Sequence, residues 1–271
     1  MWKQILRNFL LYGFATYGGI WTVVESSSAY FPTIKPEGLK HYLILVVLSV
    51  TVGIWRAFPK KTIELVVPNS DSSFVIEFGD IFQKNGCIAI PVNEYFDSQL
   101  GDHVSPNSLH GQFINSVLGG QSSAFDSLVS QALSKVTPIQ TVSRCSGKQL
   151  RFTIGTTACL KINNKNYLLF ALSKTDLQTL KASASIHELW DALAGLWESI
   201  RNNSNGDKTY IPLIGSGLSG VGLPPENLAE IIIISYFYYT KKHKITDRVT
   251  LVLPRYMRYK IDLSKILNNW S

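Results

Sequence analysis

The chain has 271 residues, 45% of them hydrophobic, and a formal net charge of +7. This length suits one domain with an appendage, and a mean hydropathy of +0.09 is high for a purely soluble protein. The three cysteines, Cys87, Cys145 and Cys159, are odd in number and match no metal-ligand spacing, which is typical of a reducing compartment rather than of a disulfide scaffold or a zinc site.

Two uncharged apolar runs, residues 8–24 and 42–55, lie near the start of the chain. Each is close to the lower limit for a membrane-spanning helix, which needs about 20 apolar residues. Pro32 and Pro36 predict a short turn between them. Basic residues flank the pair on both sides, so the positive-inside rule places both ends in the cytoplasm. Residues 1–60 are therefore predicted to form a transmembrane two-helix hairpin.

Two other interpretations of these runs remain open. The first run could be a cleaved signal peptide that ends near Ser28 and Ala29. Alternatively, both runs could be core helices of a soluble domain. The second run lacks the polar face that a surface helix shows at helical spacing, which favours the membrane hairpin.

From residue 61 onward, strand and helix patterns alternate, which predicts a three-layer α/β domain with its ligand at the carboxyl ends of the strands. Pro91 is predicted at the end of a buried strand. Ser185 and Glu188 form a capping box that opens the clearest amphipathic helix. The predicted strands are 62–67, 73–78, 86–91, 151–154, 165–171, 209–213 and 249–253, and the predicted helices are 110–118, 124–133, 185–200 and 230–239.

A glycine-rich loop follows the strand 209–213, and a helix opens after it at Pro224-Pro225-Glu226. Glycine lets a ligand approach the backbone, and successive amides before a helix amino end form a site for an anion such as phosphate. No Lys-Ser/Thr pair follows, so the loop is not an ATP-binding P-loop. A purely structural turn is the alternative. The loop residues are Gly215, Ser216, Gly217, Leu218, Ser219 and Gly220.

The basic charge is concentrated at the end of the chain, where residues 241–271 hold eight Lys/Arg and two Asp, a net charge of +6. This segment could meet anionic membrane lipid or could be a solvated basic face. No nucleic-acid-binding motif accompanies it, so nucleic acid is not expected as a partner.

The order of four segments resembles the macro-domain family, which binds ADP-ribose. These segments are Gly79-Asp80-Ile81, the strand ending at Asn93, the helix start Ser108-Leu-His-Gly111, and the glycine-rich loop. The resemblance covers roughly residues 62–271. It implies that Asp80, followed by Ile81, accepts a hydrogen bond from the adenine amine, and that the loop 215–220 wraps the pyrophosphate and the distal ribose. Asn93, His110 and Gly111 stand where the family's first ligand loop lies.

The chain also departs from that family. Its Asn-Ala-Ala-Asn segment is here Asn93-Glu-Tyr-Phe-Asp97, and Ser219 stands where catalytic members carry an aromatic. These departures favour binding without hydrolysis, with no catalytic residue, no metal and no cofactor beyond the ligand. The alternatives are a membrane-tethered ADP-ribosyl hydrolase and a passive reader of ADP-ribosylated proteins. His110, Glu94, Tyr95 and Asp97 are the candidates for reading a group beyond the distal ribose, although His110 could equally be a structural histidine and Asp80 a plain turn residue.

A macro domain behind a membrane hairpin is similar to the macro-type ThsA effectors of Thoeris antiphage systems. That resemblance implies a division into a hairpin, residues 1–60, and a ligand-binding domain, residues 61–271. It also implies a signal, histidine-ADP-ribose, that a partner TIR-domain enzyme makes during infection. The effector binds the signal, forms a homo-oligomer and disrupts the bacterial inner membrane, which causes abortive infection.

Overall fold

The computed structural model describes residues 2–31, 38–58, 60–204, 206–217 and 220–270. The chain divides into two compact units, Met1–Lys61 with Asp262–Ser264, and Thr62–Ile261 with Lys265–Ser271. The predicted turn at Pro32 and Pro36 lies outside the described residues, as do Leu218 and Ser219 of the glycine-rich loop.

The described residues up to Lys61 in the first unit form two helices, α1 (Trp2–Tyr30) and α2 (Leu39–Ala57). Among the described residues, α2 is the one helix long and apolar enough to cross a membrane by length and composition. The helix α1 does not meet that criterion. Its uncharged run contains Asn, Gly, Thr, Tyr and Trp residues, which lower its mean hydropathy. Only 11% of the apolar window of α2 is buried, whereas the core helix of a soluble domain is mostly buried.

The two helices pack along a seam of mostly small side chains on α2, in which Leu45, Ser49, Gly53 and Ala57 are buried at four-residue intervals. A Cβ atom added at Gly53 would lie 3.0 Å from the carbonyl oxygen of Phe9 on α1. Small residues at this spacing let helix backbones approach closely, which stabilises helix pairs in lipid. This repeat on α2 was not recognised in the sequence.

The second unit is the α/β domain, and its main predicted elements are confirmed with shifted ends. The predicted strand 151–154 is wrong, because only Leu150–Arg151 of that region pairs. Its strands are β1 (Thr62–Val66), β2 (Ser73–Gly79), β3 (Cys87–Asn93), β4 (Gln140–Thr141), β5 (Leu150–Arg151), β6 (Thr157–Ile162), β7 (Lys165–Thr175), β8 (Ala182–Ser183), β9 (Thr209–Pro212) and β10 (Arg248–Pro254). The helices that follow the first two are α3 (Leu109–Val117), α4 (Ser122–Ala132), α5 (Ile186–Asn203), α6 (Pro225–Lys242) and α7 (Leu263–Trp270).

Within the described residues, the main sheet has eight strands, in the order β1-β2-β10-β9-β3-β7-β6 with β8 beside β7. The central strands β2, β10, β9, β3 and β7 are parallel, and the outer strands pair antiparallel. Helices α3 and α4 pack on one face, where Ile90, Phe113 and Phe125 share a core. Helices α5 and α6 pack together on the other, and the indole Nε1 of Trp197 donates to Ser235 Oγ at 2.7 Å. The predicted three-layer arrangement and the capping box at Ser185 are confirmed.

The sheet opens between β3 and β9. These strands pair only at Cys87 with Thr209 and at Ile88 with Tyr210. The Cys87 N–H donates to the carbonyl before β9, so residue 91, two pleats further on, turns its nitrogen to the same side. Pro91 has no N–H to donate there, and β9 itself ends at Pro212. The prediction that Pro91 ends its strand is wrong, because β3 continues to Asn93 against β7 while β9 diverges. The result is a crevice at the carboxyl ends of the parallel strands.

Candidate functional site

A cavity of about 1060 Å³ lies across this crevice. Its walls come from the segments that follow the carboxyl ends of all five parallel strands, which is where open α/β sheets bind ligands. The lining segments are, in sheet order, 79–82 after β2, 252 and 254–256 at the end of β10, and 212–217 after β9. They continue with 91–93, 101–105, 107–110 and 112 at and after β3, and with 172–173 and 180–182 around the end of β7.

Asp80 and Ile81, which the family resemblance assigned to the ligand, lie at the β2 end of the cavity. Asp80 precedes a short 3-10 turn, and its Oδ1 accepts from the Phe82 N–H at 3.0 Å. Among the residues that the structure describes, no second hydrogen bond or ion pair reaches the Asp80 carboxylate. Ile81 is buried and lines the wall beside it. One carboxylate oxygen is therefore fixed by the backbone while the other is available to a ligand.

The glycine-rich loop brings Gly215, Ser216 and Gly217 to the cavity in front of α6. Gly215 has a φ of +81°, and a Cβ atom there would lie 2.7 Å from a methyl group of Val221. The Gly215 carbonyl accepts from the Val221 N–H at 3.0 Å, which closes the loop. Gly217 has open space around it, whereas Gly220 does not line the cavity and instead packs against the Gly217 carbonyl. The loop thus presents bare backbone before a helix amino end, the arrangement that suits a phosphate.

His110 lies at the amino end of α3 and lines the cavity. Its Nε2 is buried and has no hydrogen-bond partner in the described part of the chain, while its ring packs 5.1 Å from that of Phe125. Burial, with a smaller contribution from the charge of Lys148, lowers the pKa of His110 from 6.5 to about 3. The imidazole is therefore neutral at physiological pH and offers one unused nitrogen.

Gly111, also predicted to contact the ligand, does not line the cavity. Its N–H donates to Ser108 Oγ at 3.0 Å, which caps the helix. A Cβ atom at this position would collide with the Ser105 carbonyl oxygen. Gly111 therefore serves to let the preceding loop pack directly on α3.

Asn93 lines the cavity, but its side chain is largely engaged in the turn that follows β3. Its Nδ2 donates to Asp97 Oδ2 at 3.1 Å, and its Oδ1 accepts from the N–H groups of Tyr95 and Asp97 at 3.2 and 3.1 Å. One N–H of the Asn93 amide has no partner among these contacts, so Asn93 can donate at most one hydrogen bond to a ligand.

Glu94, Tyr95 and Asp97 are not among the residues that line the cavity. Glu94 is buried and bonds Arg151 Nε at 2.8 Å. Asp97 is buried against Arg144, whose guanidinium lies 4.1 Å from the centre of the Tyr95 ring. These three side chains form a structural layer behind the wall, so the expectation that they read a group of the ligand does not fit their positions.

Sequence reasoning missed three lining segments that carry polar or charged side chains. Residues 101–107 supply His103 and Ser105, residues 180–182 supply Lys181, and Arg255 follows β10. Lys181 and Arg255 are exposed, and neither has an ion pair among the described residues. Their place in the sequence could have identified these segments, because each one follows a strand of the parallel sheet. In the described ranges, no group of three or more His, Cys, Asp and Glu side chains could hold a metal ion.

The fold of the second unit is that of a macrodomain. The Oceanobacillus iheyensis macrodomain solved with ADP superposes with a TM-score of 0.51 at 12% sequence identity, covering 77% of this chain and 97% of that one. The same macrodomain with MES bound gives a TM-score of 0.50 at 11% identity, covering 77% and 98%. At this identity the likeness concerns the fold alone.

The family follows from the sequence match. Residues 74–254 match the family described as the macro domain of Thoeris protein ThsA, and the chain belongs to this family. The Thoeris protein ThsA of Bacillus amyloliquefaciens (strain Y2) is 27% identical over 235 residues, which cover 83% of this chain and 77% of the relative. The resemblance inferred from the order of the four segments is thereby confirmed.

Proposed function

We propose that this chain is an antiphage defence effector whose macro domain binds an ADP-ribose-derived signal and whose amino-terminal helices act on the membrane. The observation that carries the proposal is the continuous cavity across five strand ends. Asp80 lies at one end of it, and the loop 215–217 lies in the middle, ahead of α6. A site of this extent suits an elongated dinucleotide-like ligand better than a compact metabolite.

In this proposal ADP-ribose lies along the sheet, with a lining group for each part of the ligand. Asp80 at β2 accepts from the adenine amine, and Arg255 at β10 with the glycine-rich loop at β9 faces the diphosphate. His110 at β3 and Lys181 at β7 then face the distal ribose and whatever is attached to it. The Oceanobacillus macrodomain of the same fold was solved with ADP, which supports a nucleotide in the crevice.

The signal in this proposal is histidine-ADP-ribose made by a TIR-domain enzyme, as for the macro-type ThsA effectors that the sequence resembles. The ligand-binding domain comprises residues 61–271, and residues 1–60 form the membrane segment. Binding drives homo-oligomer formation, which concentrates the hairpins and disrupts the inner membrane.

In this proposal both helices of the hairpin enter the membrane and both chain ends face the cytoplasm. The apolar, mostly exposed α2 supports one span. The seam at Ser49 and Gly53 supports a helix pair that stays together in lipid, because small residues allow close backbone contact there. A single pair of helices cannot enclose a pore, so the activity requires several copies.

Binding in this proposal occurs without turnover. The Asn93 side chain is engaged in its own turn, and the second Asn of the family pattern is absent. The alternative function, a tethered ADP-ribosyl hydrolase, is tested by incubating the protein with histidine-ADP-ribose and analysing the ligand by mass spectrometry. The proposal expects intact ligand. Free ADP-ribose released in proportion to the protein concentration would establish the hydrolase.

The direct test is calorimetric titration of the full-length protein in detergent micelles with ADP-ribose, histidine-ADP-ribose, cyclic ADP-ribose isomers and NAD. We expect binding of ADP-ribose and tighter binding of histidine-ADP-ribose. If neither of these two ligands binds, the proposed function is wrong.

A further inference from the structure

A buried ion pair lies behind the cavity wall and joins two segments that are distant in sequence. The side chains of Asp97 and Arg144 are 1% and 3% exposed. Arg144 Nη1 lies 3.1 Å from both carboxylate oxygens, and Nη2 lies 3.2 Å from Oδ2. The Lys148 N–H also donates to Asp97 Oδ1 at 2.8 Å. Because Arg144 and Lys148 belong to the connection between β4 and β5, this pair anchors that hairpin to the end of β3.

Arg144 also reaches the cavity wall itself. Its Nη2 lies 3.2 Å from Nδ1 of His103, whose side chain is fully buried and which lines the cavity. Arginine has no acceptor, so His103 Nδ1 accepts this hydrogen bond. Its Nε2 then carries the proton of the neutral ring and donates to Ser146 Oγ at 2.9 Å. His103 is thereby held on both ring nitrogens by the same hairpin.

The hairpin between β4 and β5 therefore fixes the conformation of loop 101–108 from the side opposite the cavity. In sheet order it lies on the β3 side of the glycine-rich loop, away from Asp80. If the adenine end of the ligand is at Asp80, the loop meets the part beyond the diphosphate. Buried ion pairs often contribute little net stability, and one role attested for them is to specify a single arrangement.

We propose that Arg144 is a positioning residue that holds loop 101–108 in the conformation that reads the distal part of the ligand. This inference rests on the proposed function, since it requires an ADP-ribose-type ligand in the cavity. Arg144 does not touch the ligand. It acts through Asp97 and His103, and its loss should change which ligands are preferred rather than abolish binding.

The variants separate positioning from stability. Arg144→Met removes the cation from the buried Asp97 carboxylate, which keeps only its hydrogen bonds from Asn93 and Lys148, and should lower the melting temperature. The double variant Arg144→Met/Asp97→Asn removes both charges but can accept only one of the hydrogen bonds that Asn93 and Lys148 donate to Asp97. It should recover part of the lost melting temperature without restoring the hydrogen bond to His103. Arg144→Lys keeps the charge but cannot form the planar fork. Arg151→Met is the matched control, because it also orphans a buried carboxylate, that of Glu94, outside the cavity wall.

The experiment is titration of each full-length variant with ADP and with ADP-ribose, alongside its melting temperature. ADP ends at the diphosphate, whereas ADP-ribose continues into the distal region. We expect Arg144→Met, Arg144→Lys and the double variant to bind ADP-ribose about tenfold more weakly while ADP affinity stays within about twofold. Arg151→Met should melt earlier but keep the wild-type ratio of the two affinities.

Two results would overturn the inference while leaving the proposed function intact. In the first, the Arg144 variants weaken ADP and ADP-ribose equally or change neither. In the second, the double variant regains the affinity ratio together with the melting temperature, which would assign Arg144 a structural role only. Failure of the wild-type protein to bind either ligand would instead refute the proposed function, and this inference with it.

Discussion

Replacing Asp80 by Asn should weaken ADP-ribose binding without weakening the fold. The Phe82 N–H needs an acceptor, and in the native protein Asp80 Oδ1 supplies it at 3.0 Å. In the Asn variant only the amide oxygen can take that role, which turns the NH₂ group toward the cavity. Two donors, the Asn NH₂ and the adenine amine, would then face each other where a charge-assisted hydrogen bond stood before.

The size of the effect follows from the bond that is lost. A hydrogen bond to a charged group contributes roughly 1.5–3 kcal/mol, which corresponds to about 10- to 150-fold in affinity. The cap on the 3-10 turn survives in Asp80→Asn, so its melting temperature should match that of the wild type. Asp80→Ala removes the cap as well, and the loss of such a cap costs about 1 kcal/mol of stability.

The assay is calorimetric titration with ADP-ribose and with its hypoxanthine analogue, which carries a carbonyl in place of the adenine amine. The wild type should prefer adenine, whereas Asp80→Asn should prefer hypoxanthine, because its NH₂ can donate to that carbonyl. Equal affinities of the wild type for both bases, or an unchanged titration in Asp80→Asn, would refute the assignment of Asp80 to the base.

Three further predictions concern the loop, the hairpin and pH. Gly215→Ala places a Cβ atom at a φ of +81° and 2.7 Å from a neighbouring methyl group, so ADP-ribose affinity should fall by about tenfold or more in the same titration. An unaffected affinity would leave the loop as a structural turn. Gly53→Ala overpacks the helix seam, at a cost of about 1–3 kcal/mol, and should reduce ligand-dependent vesicle leakage, whereas Gly18→Ala, which has open space, should not. Equal leakage from both variants would show that the seam is not needed. Because the pKa of His110 falls from 6.5 unfolded to about 3 folded, the unfolded state binds the extra proton between these values and stability is lost as pH falls through that window. His110→Phe should flatten the slope of the unfolding free energy by up to about 1.4 kcal/mol per pH unit between pH 6 and 4 in denaturant titrations, and an unchanged slope would contradict the burial argument.

Local patterns predicted the parts of the site that a single segment determines. The glycines at 215 and 217 and the helix start that follows them can be read in one segment, and both glycines line the cavity. The position of Asp80 likewise depends only on the strand before it and the turn after it. The capping box at Ser185 is likewise local, and the structure confirms it.

The misplaced elements depend on contacts between distant residues. Asp97 and Arg144 are 47 positions apart, so nothing in the local sequence indicated that the Asp97 carboxylate forms an internal ion pair. Pro91 suggested a strand end because proline usually breaks a ladder, but here the neighbouring strand has already diverged. Gly111 was assigned to the ligand by its position in a pattern, whereas packing against the Ser105 carbonyl explains it.

The central claim is that signal binding in the macro domain causes membrane damage. The most direct measurement is dye leakage from vesicles that carry the full-length protein, with and without histidine-ADP-ribose, for the wild type and for Asp80→Asn. We predict no leakage without ligand and leakage of the wild type when ligand is added. The Asp80→Asn variant should need a ligand concentration about 10-fold or more higher. Ligand that binds the wild type tightly yet leaves leakage unchanged would contradict the central claim.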